Sequence, residues 1–406
     1  MNRDIHGYYI VNKKKFYSKV QALIYASELL LQLRATFVET NIDKLISRQS
    51  LVKWYFNNEV FESYNWTVEP QQSIDTLYNK RAKYLREKYD YLVVYYSGGS
   101  DSHNMVMSFL NQGLKIDELV IHHVNHGMSL LRTNNIALTN PALQPLSETK
   151  FQIIPRLKDI LIIDPSIKIK MFDTTQKTID TFSNLQSGDW VLKVREELNP
   201  VDSAKYNFTC FDEFRHVIDT NRSVGILVGL DKPLLKPHHD AIYLVFTDRR
   251  YNINLFYSDI EHYSNAQVEF FYSSPDACDL ICKQAHLVKK WVIKCIQFLS
   301  QKNSLDIYNN PFFRVFYEEK IRDILYPFTW RQDWFQAKKS VLDWHSEADL
   351  WFHEFFDSTS LQGSCWRDGI NFIQNNIEKN FLESYRNAND YDGFKIFENS
   401  YMLEKI

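Results

Sequence analysis

Two hydrophobic periods alternate along the chain, and the change from one to the other divides it. Before residue 89 the apolar positions recur at three- and four-residue steps: Ile74, Leu77, Tyr78, Ala82, Leu85 and Tyr89 mark one face of a helix over Ser73 to Lys88. Similar material predicts helices over Val20 to Val38 and Asn41 to Phe56, and no proline interrupts the chain before Pro70. A short hairpin is expected around Gly7 to Phe16.

From Tyr91 the period changes to short apolar runs separated by helical stretches. YLVVYY (91–96) reads as a buried strand, Ser102 to Gln112 as a helix ending at Gly113, and ELVIHHV (118–124) as the next strand, followed later by Ile167 to Phe172 and VGILVG (224–229). Strands spaced by helices imply right-handed crossovers and a mainly parallel sheet covered on both faces, a doubly wound α/β arrangement. IYLVF (242–246) and YNINLFY (251–257), separated by TDRR, predict an antiparallel hairpin at the sheet's edge or on a lid. Beyond Glu261 long aromatic-rich stretches, Asp276 to Gln301, Arg331 to Asp357 and Ile370 to Asn387, predict helices. The expected organisation is a helical N-terminal region (1–88), an α/β domain (89–257) and a helical C-terminal domain (258–406).

Composition sharpens the picture in one place. Only 11 of 406 residues are glycine, against roughly 7% in ordinary proteins. Seven of the 11 lie within 91–230 and none within 231–360, so the turns that need close backbone approach concentrate in the middle of the chain. The 47 basic and 50 acidic side chains leave a net charge of -3, which excludes a protein built to coat nucleic acid through its global charge. Five scattered cysteines argue for a reducing compartment. The first residues lack the apolar core of a signal peptide, and no run approaches the roughly 18 apolar residues that span a bilayer. The expectation is a cytoplasmic protein with no membrane partner.

Candidate chemistry centres on SGGSDS (97–102), which follows a strand and opens a helix. Such a junction binds anions, because the first amides of a helix have no intrahelical partner and the dipole favours negative charge. Gly98 and Gly99 let the backbone close on phosphate oxygens, while Ser97, Ser100 and Ser102 add hydroxyls. Asp101 would repel a phosphate unless a cation bridged them, which points to Mg²⁺. A Ser/Gly-rich turn without a ligand is the plain alternative.

SGGSDS resembles the SGGxDS signature of the PP-loop ATP pyrophosphatase superfamily, the adenine nucleotide alpha hydrolase-like (HUP-like) fold. HVNHG (123–127) is similar to a segment of tRNA isoleucine-lysidine synthetases, a branch of the same superfamily. The resemblance implies that this strand end lies beside the adenine and ribose, with Val124, Asn125, His126 and Gly127 near the nucleoside; a merely solvated polar strand end or a zinc site are the other readings. A third stretch, VGILVGLDKP (224–233), presents Asp231 and Lys232 after a buried strand. If that strand is parallel to YLVVYY, Lys232 suits the leaving pyrophosphate or the α-phosphate and Asp231 the magnesium shell; otherwise they form a surface salt bridge. As a whole the chain resembles phosphoadenosine-phosphosulfate-reductase-like PP-loop proteins of tailed phages, whose host cytoplasm would then be its compartment.

The departures narrow what the resemblance implies. The Glu-Cys-Gly-Leu-His nucleophile motif of the reductases is absent, and Cys278 and Cys282 sit at i and i+4 on an expected helix, where buried thiols are the simpler reading. The expected activity is Mg²⁺-dependent cleavage of ATP between the α and β phosphates, with Asp101 and Lys232 as catalytic residues and adenylation of an unidentified acceptor, whether nucleobase, nucleic acid or small metabolite. The alternatives are a sulfonucleotide enzyme and a nucleotide-binding scaffold without turnover.

Overall fold

Five short strands lie side by side in one parallel sheet, and the order in which the chain visits them decides where a site can form. A computed structural model describes residues 3–36, 51–123, 126, 148–176, 179–180, 192, 216–230, 232–238, 240–253, 264–298, 311–331, 368–369, 371–381 and 397–405. Within these, β4 (Tyr91–Tyr95), β5 (Glu118–His123), β6 (Lys168–Asp173), β7 (Val224–Val228) and β10 (Ala266–Phe270) form a sheet in the order β10-β7-β4-β5-β6. Every pairing in it is parallel. The architecture is therefore α/β and compatible with a doubly wound fold. The chain runs outward from β4 to β6, returns to lay β7 on the other side of β4, and then adds β10. β4 and β7 are buried along their first four residues, which is why both read as continuous apolar runs.

The N-terminal residues build a second sheet, in the order β2-β1-β3, from β1 (Tyr8–Val11), β2 (Lys14–Phe16) and β3 (Val52–Tyr55). The expected hairpin is present; Asn12 and Lys13 both take positive φ, as the two-residue turns that match strand twist require. The helix expected over Asn41 to Phe56 is corrected at its end: residues 41–50 lie outside the described residues, and 52–55 form β3, antiparallel to β1. Buried Val52 and Trp54 alternate with exposed Lys53, so a period of two in branched and aromatic residues prevails over helical spacing. Beside this sheet runs α1 (Lys19–Thr36). Then α2 (Ile74–Lys88) follows, its first turn capped by Ser73 Oγ, which accepts from the Thr76 amide at 3.2 Å.

A third sheet, ordered β11-β9-β8, joins β8 (Leu234–His238), β9 (Ala241–Thr247) and β11 (Glu398–Lys405) in antiparallel fashion. The hairpin expected between 242–246 and 251–257 is thereby corrected. Asp248–Tyr251 makes a helical turn, 254–257 lie outside the described residues, and β9 takes β8 and the distant β11 as neighbours. The segment Ala266–Phe270, unassigned by periodicity, completes the parallel sheet from beyond residue 257. Of the three C-terminal helices expected, the first is α5 (Cys278–Phe298). The second lies outside the described residues after Arg331, and the third is helical over 371–376. Among the described residues no helix is long and apolar enough to cross a membrane.

Aromatic side chains fill the space between the second and third sheets. Phe56 stacks on Tyr251 with ring centroids 4.7 Å apart and Phe61 on Phe246 at 4.8 Å, with Trp66 and Tyr401 closing the group. One buried carboxylate fastens this arrangement. Asp248 has no exposed side-chain surface, and it accepts from Tyr9 Oη at 2.8 Å, Lys19 Nζ at 2.9 Å and the Phe397 amide at 3.0 Å. It thus joins β1, α1 and the residue before β11. Truncating one partner of a buried pair strands the other's charge. Asp248→Asn is predicted to lower the unfolding free energy by about 3–5 kcal/mol in urea titrations, and a loss below about 1 kcal/mol, the scale of an exposed pair, would contradict this role.

Candidate functional site

The site is built where β4 and β7 end. β4 passes into Tyr96, whose amide donates to the Val120 carbonyl at 2.9 Å, and the chain then turns through Ser97, Gly98 and Gly99 into α3 (Ser100–Leu110). Gly98 has φ +69°, and a Cβ there would lie 2.9 Å from Ile153 Cγ1. Only glycine meets both conditions. Residues 148–153, which lead into α4 (Ile154–Ile163), close on this turn, with Gln152 Nε2 donating to the Ser97 carbonyl at 3.3 Å. Gly99 differs from Gly98: among the described residues a Cβ there would meet Ser97 Oγ alone, at 3.2 Å, a rotatable hydroxyl that would have to give way, and its face is otherwise open.

Gly99 is the N-cap of α3, and no side chain caps the helix. The first turn of helical hydrogen bonding runs from the His103 amide to the Gly99 carbonyl at 2.9 Å. The amides of Ser100, Asp101 and Ser102 therefore precede the helical ladder, and among the described residues nothing accepts from them. The hydroxyls of Ser97 and Ser102 are engaged within the turn. Ser97 Oγ accepts from the Gly99 amide at 3.2 Å and lies 3.2 Å from Ser102 Oγ, which bonds the Gly99 carbonyl at 3.2 Å. Ser97 is exposed, whereas Ser100 and Ser102 are buried.

β7 brings its end against the same turn. A Cβ at Gly229 would lie 3.2 Å from both Cα and N of Ser102, so the two backbones nearly touch. Three residues on, Lys232 Nζ donates to Asp101 Oδ2 at 2.9 Å, and Arg250 holds the Lys232 carbonyl at 3.3 Å. The structure thus brings Lys232 to the loop; Asp231 lies outside the described residues. The other oxygen of the Asp101 carboxylate accepts from Tyr326 Oη, and the Asp101 carbonyl accepts from Tyr272 Oη at 2.7 Å. Asn104 donates to Tyr272 Oη at 3.0 Å and accepts from Thr329 Oγ1 at 2.7 Å, which fastens residues 326–329 to α3. Burial first, then the Asp101 charge, pushes the Tyr326 phenol well above its ordinary value, so it stays a donor.

At the end of β5 the described residues include His123 and His126, while Val124, Asn125 and Gly127 lie outside them. The His126 amide donates to Asp173 Oδ2 at 2.7 Å, and the Thr175 amide to Asp173 Oδ1 at 3.0 Å. Burial opposes ionisation of Asp173, but these bonds outweigh it and hold its carboxyl below the ordinary range. Burial lowers His123, whose Nδ1 is 3.9 Å from Asp173. Among the described residues no three His, Cys, Asp or Glu side chains group as a metal site. The thiols of Cys278 and Cys282 are pushed up to about 12 and about 11 by burial, and both donate to main-chain carbonyls.

Sequence reasoning missed Tyr272, Tyr326, Gln152, Ile153 and Arg250. None carries a local signal: each is an ordinary residue made relevant by a contact far along the chain. No protein-family model matches the chain, and no curated protein is detectably similar to it.

Directly beneath the loop His103 is buried, with Nδ1 3.0 Å from Tyr96 Oη. Burial, aided by Arg156, lowers its pKa to about 3, and burial does the same to His6. Both are near 6.5 when unfolded. The unfolded chain therefore takes up protons that the folded one refuses, so their contribution to stability is complete above pH 6.5 and is lost as pH falls toward 3. The thermal midpoint is predicted to decline between pH 6.5 and 4, and less steeply in His103→Gln; equal slopes for the two proteins would contradict the assignment.

Proposed function

We propose that the loop at 97–102 binds the phosphates of ATP and that the chain is a PP-loop ATP pyrophosphatase that adenylates an acceptor. The observation that carries this reading is the meeting of two strand ends at one place. The uncapped turn of α3, after β4, and Lys232, after β7, lie together where the strand order reverses. In open α/β sheets ligands bind in that crevice, outside the carboxyl ends of the strands.

The residues present fit a magnesium nucleotide. Gly99 leaves its face open, and the amides of Ser100, Asp101 and Ser102 point their N–H groups at an anion. Asp101 would hold the cation, with Asp231 near it, while Val124, Asn125, His126 and Gly127 at the end of β5 would border the nucleoside. When bound, Mg²⁺ neutralises phosphate charge and so makes pyrophosphate a better leaving group. Lys232 faces the loop with its side chain only 10% exposed, a setting in which a cation acts strongly on charge that develops as pyrophosphate departs.

The missing Glu-Cys-Gly-Leu-His motif favours a nitrogen nucleophile over a sulfur one. A sulfonucleotide enzyme is accordingly the weaker reading. The engagement of Asp101 by Lys232 and Tyr326 favours, as a second reading, a nucleotide-binding scaffold that does not turn over.

Product analysis separates these. With ATP, Mg²⁺ and fractionated cell extract as a source of acceptor, AMP and pyrophosphate are expected in equal amounts, and ADP with phosphate would exclude the reaction. Lys232→Ala is expected to reduce kcat by roughly 10²-fold, on the scale of losing one charge-stabilising donor, with ATP affinity changed only modestly. An intact kcat would remove Lys232 from the chemistry.

A further inference from the structure

We infer that Lys232 is a placeholder on Asp101 Oδ2 for a divalent cation, and that Tyr326 is a positioning residue that keeps Oδ1 closed so that the cation enters on one oxygen. This rests on the reading of the loop as a magnesium-nucleotide site, and it adds how the cation and the nucleotide come to bind together.

The two partners of the carboxylate differ in how firmly they are held. Lys232 follows a strand end on a turn, and its ammonium is a hydrated point charge on a flexible four-carbon stem. In the proposed exchange the stem swings its ammonium to another anion while Arg250 keeps the main chain in place. Tyr326 does not swing: it is 1% exposed, its ring packs against those of Tyr78 and Tyr272 with centroids 6.3 and 6.1 Å away, and its amide is bonded to the Arg322 carbonyl at 2.8 Å. Tyr272 fixes the Asp101 backbone at the same time. The carboxylate is thus anchored on one side and exchangeable on the other.

Charge decides when exchange occurs. Asp101 is only 22% exposed, so withdrawing Lys232 without a replacement would leave a poorly solvated anion. A divalent cation arriving alone must displace Lys232 from Asp101 Oδ2 and so break the ion pair. When ATP arrives as well, the phosphates accept Lys232 while the cation takes Oδ2, and both halves of the broken pair are compensated. Cation and nucleotide therefore favour each other's binding, reciprocally.

Mn²⁺ serves as the probe, with the free ion measured by electron paramagnetic resonance. In the nucleotide-free full chain, Lys232→Met is expected to raise Mn²⁺ affinity by roughly tenfold or more, the scale of one charge-assisted hydrogen bond, and adding Asp101→Asn should abolish the gain. Lys232→Gln replaces the methionine variant if that fails to fold. Wild-type Mn²⁺ affinity in the Lys232 variants would overturn the placeholder. For Tyr326, ATP affinity is compared with and without Mn²⁺. Tyr326→Phe keeps the ring packing, and should shrink the enhancement by Mn²⁺ roughly tenfold while metal-free ATP affinity holds. Equal losses with and without Mn²⁺, or a loss that persists in Asp101→Asn, would make Tyr326 merely structural. The two levels separate cleanly. ATP bound by the wild type without a Mn²⁺ gain in the Lys232 variants sinks the exchange alone; a Mn²⁺ gain in a protein that never binds ATP sinks the nucleotide reading and leaves the placeholder standing.

Discussion

Everything proposed for this molecule depends on the approach of the β7 exit to the first turn of α3. With a side chain at residue 229 a Cβ would sit 3.2 Å from the Ser102 backbone, tighter than ordinary contact. Glycine there lets Lys232 arrive beside Asp101, and the parallel pairing of β4 with β7 points both strand ends the same way. The proposed anion site is thus a consequence of sheet order and of one close backbone contact. The loop alone would supply amides, but no opposing cation.

The same loop is held from three directions that are remote in sequence. Residues 152 and 153 press on Ser97 and Gly98, Tyr272 follows the last strand of the parallel sheet, and Tyr326 ends α6 (Pro311–Leu325) by adding its hydroxyl to Asp101. Rigid support of this kind matters for a group that must neutralise charge without reorganising. Asp248 does equivalent work for the rest of the chain, drawing the first and last strands to the turn after β9. Residues 248–251 also carry Arg250, which holds the Lys232 carbonyl, so the Asp248–Lys19 ion pair and the candidate site share one short turn.

Local features were legible in the sequence where one short segment contains its own cause. YLVVYY and the glycine turn appear as read, and the helix after them is present but shifted to Ser100–Leu110 from the expected Ser102 to Gln112; an apolar run, a positive φ and a helix start are all local properties. β3 was not legible. VKWY has a strand's alternation, but only pairing with β1 reveals that alternation as the governing period. β10 is likewise five residues whose assignment rests on register with β7. The 24 tyrosines of the chain hide Tyr272 and Tyr326 completely, since nothing near either residue distinguishes it from those that only fill the aromatic core. Long-range contacts chose which tyrosines touch Asp101.

The central claim is that the open face of Gly99 is where a nucleotide's phosphates lie. Calorimetric titration of ATP with Mg²⁺ into the wild type and Gly99→Val tests it most directly, because among the described residues a Cβ at 99 would press on the rotatable Ser97 hydroxyl alone, and matched melting temperatures show that the hydroxyl gives way. The account predicts saturable binding by the wild type and a loss of about 100-fold or more in the variant, the scale of about 2.7 kcal/mol in binding free energy. Equal affinity in two equally folded proteins would place the nucleotide elsewhere and contradict the account.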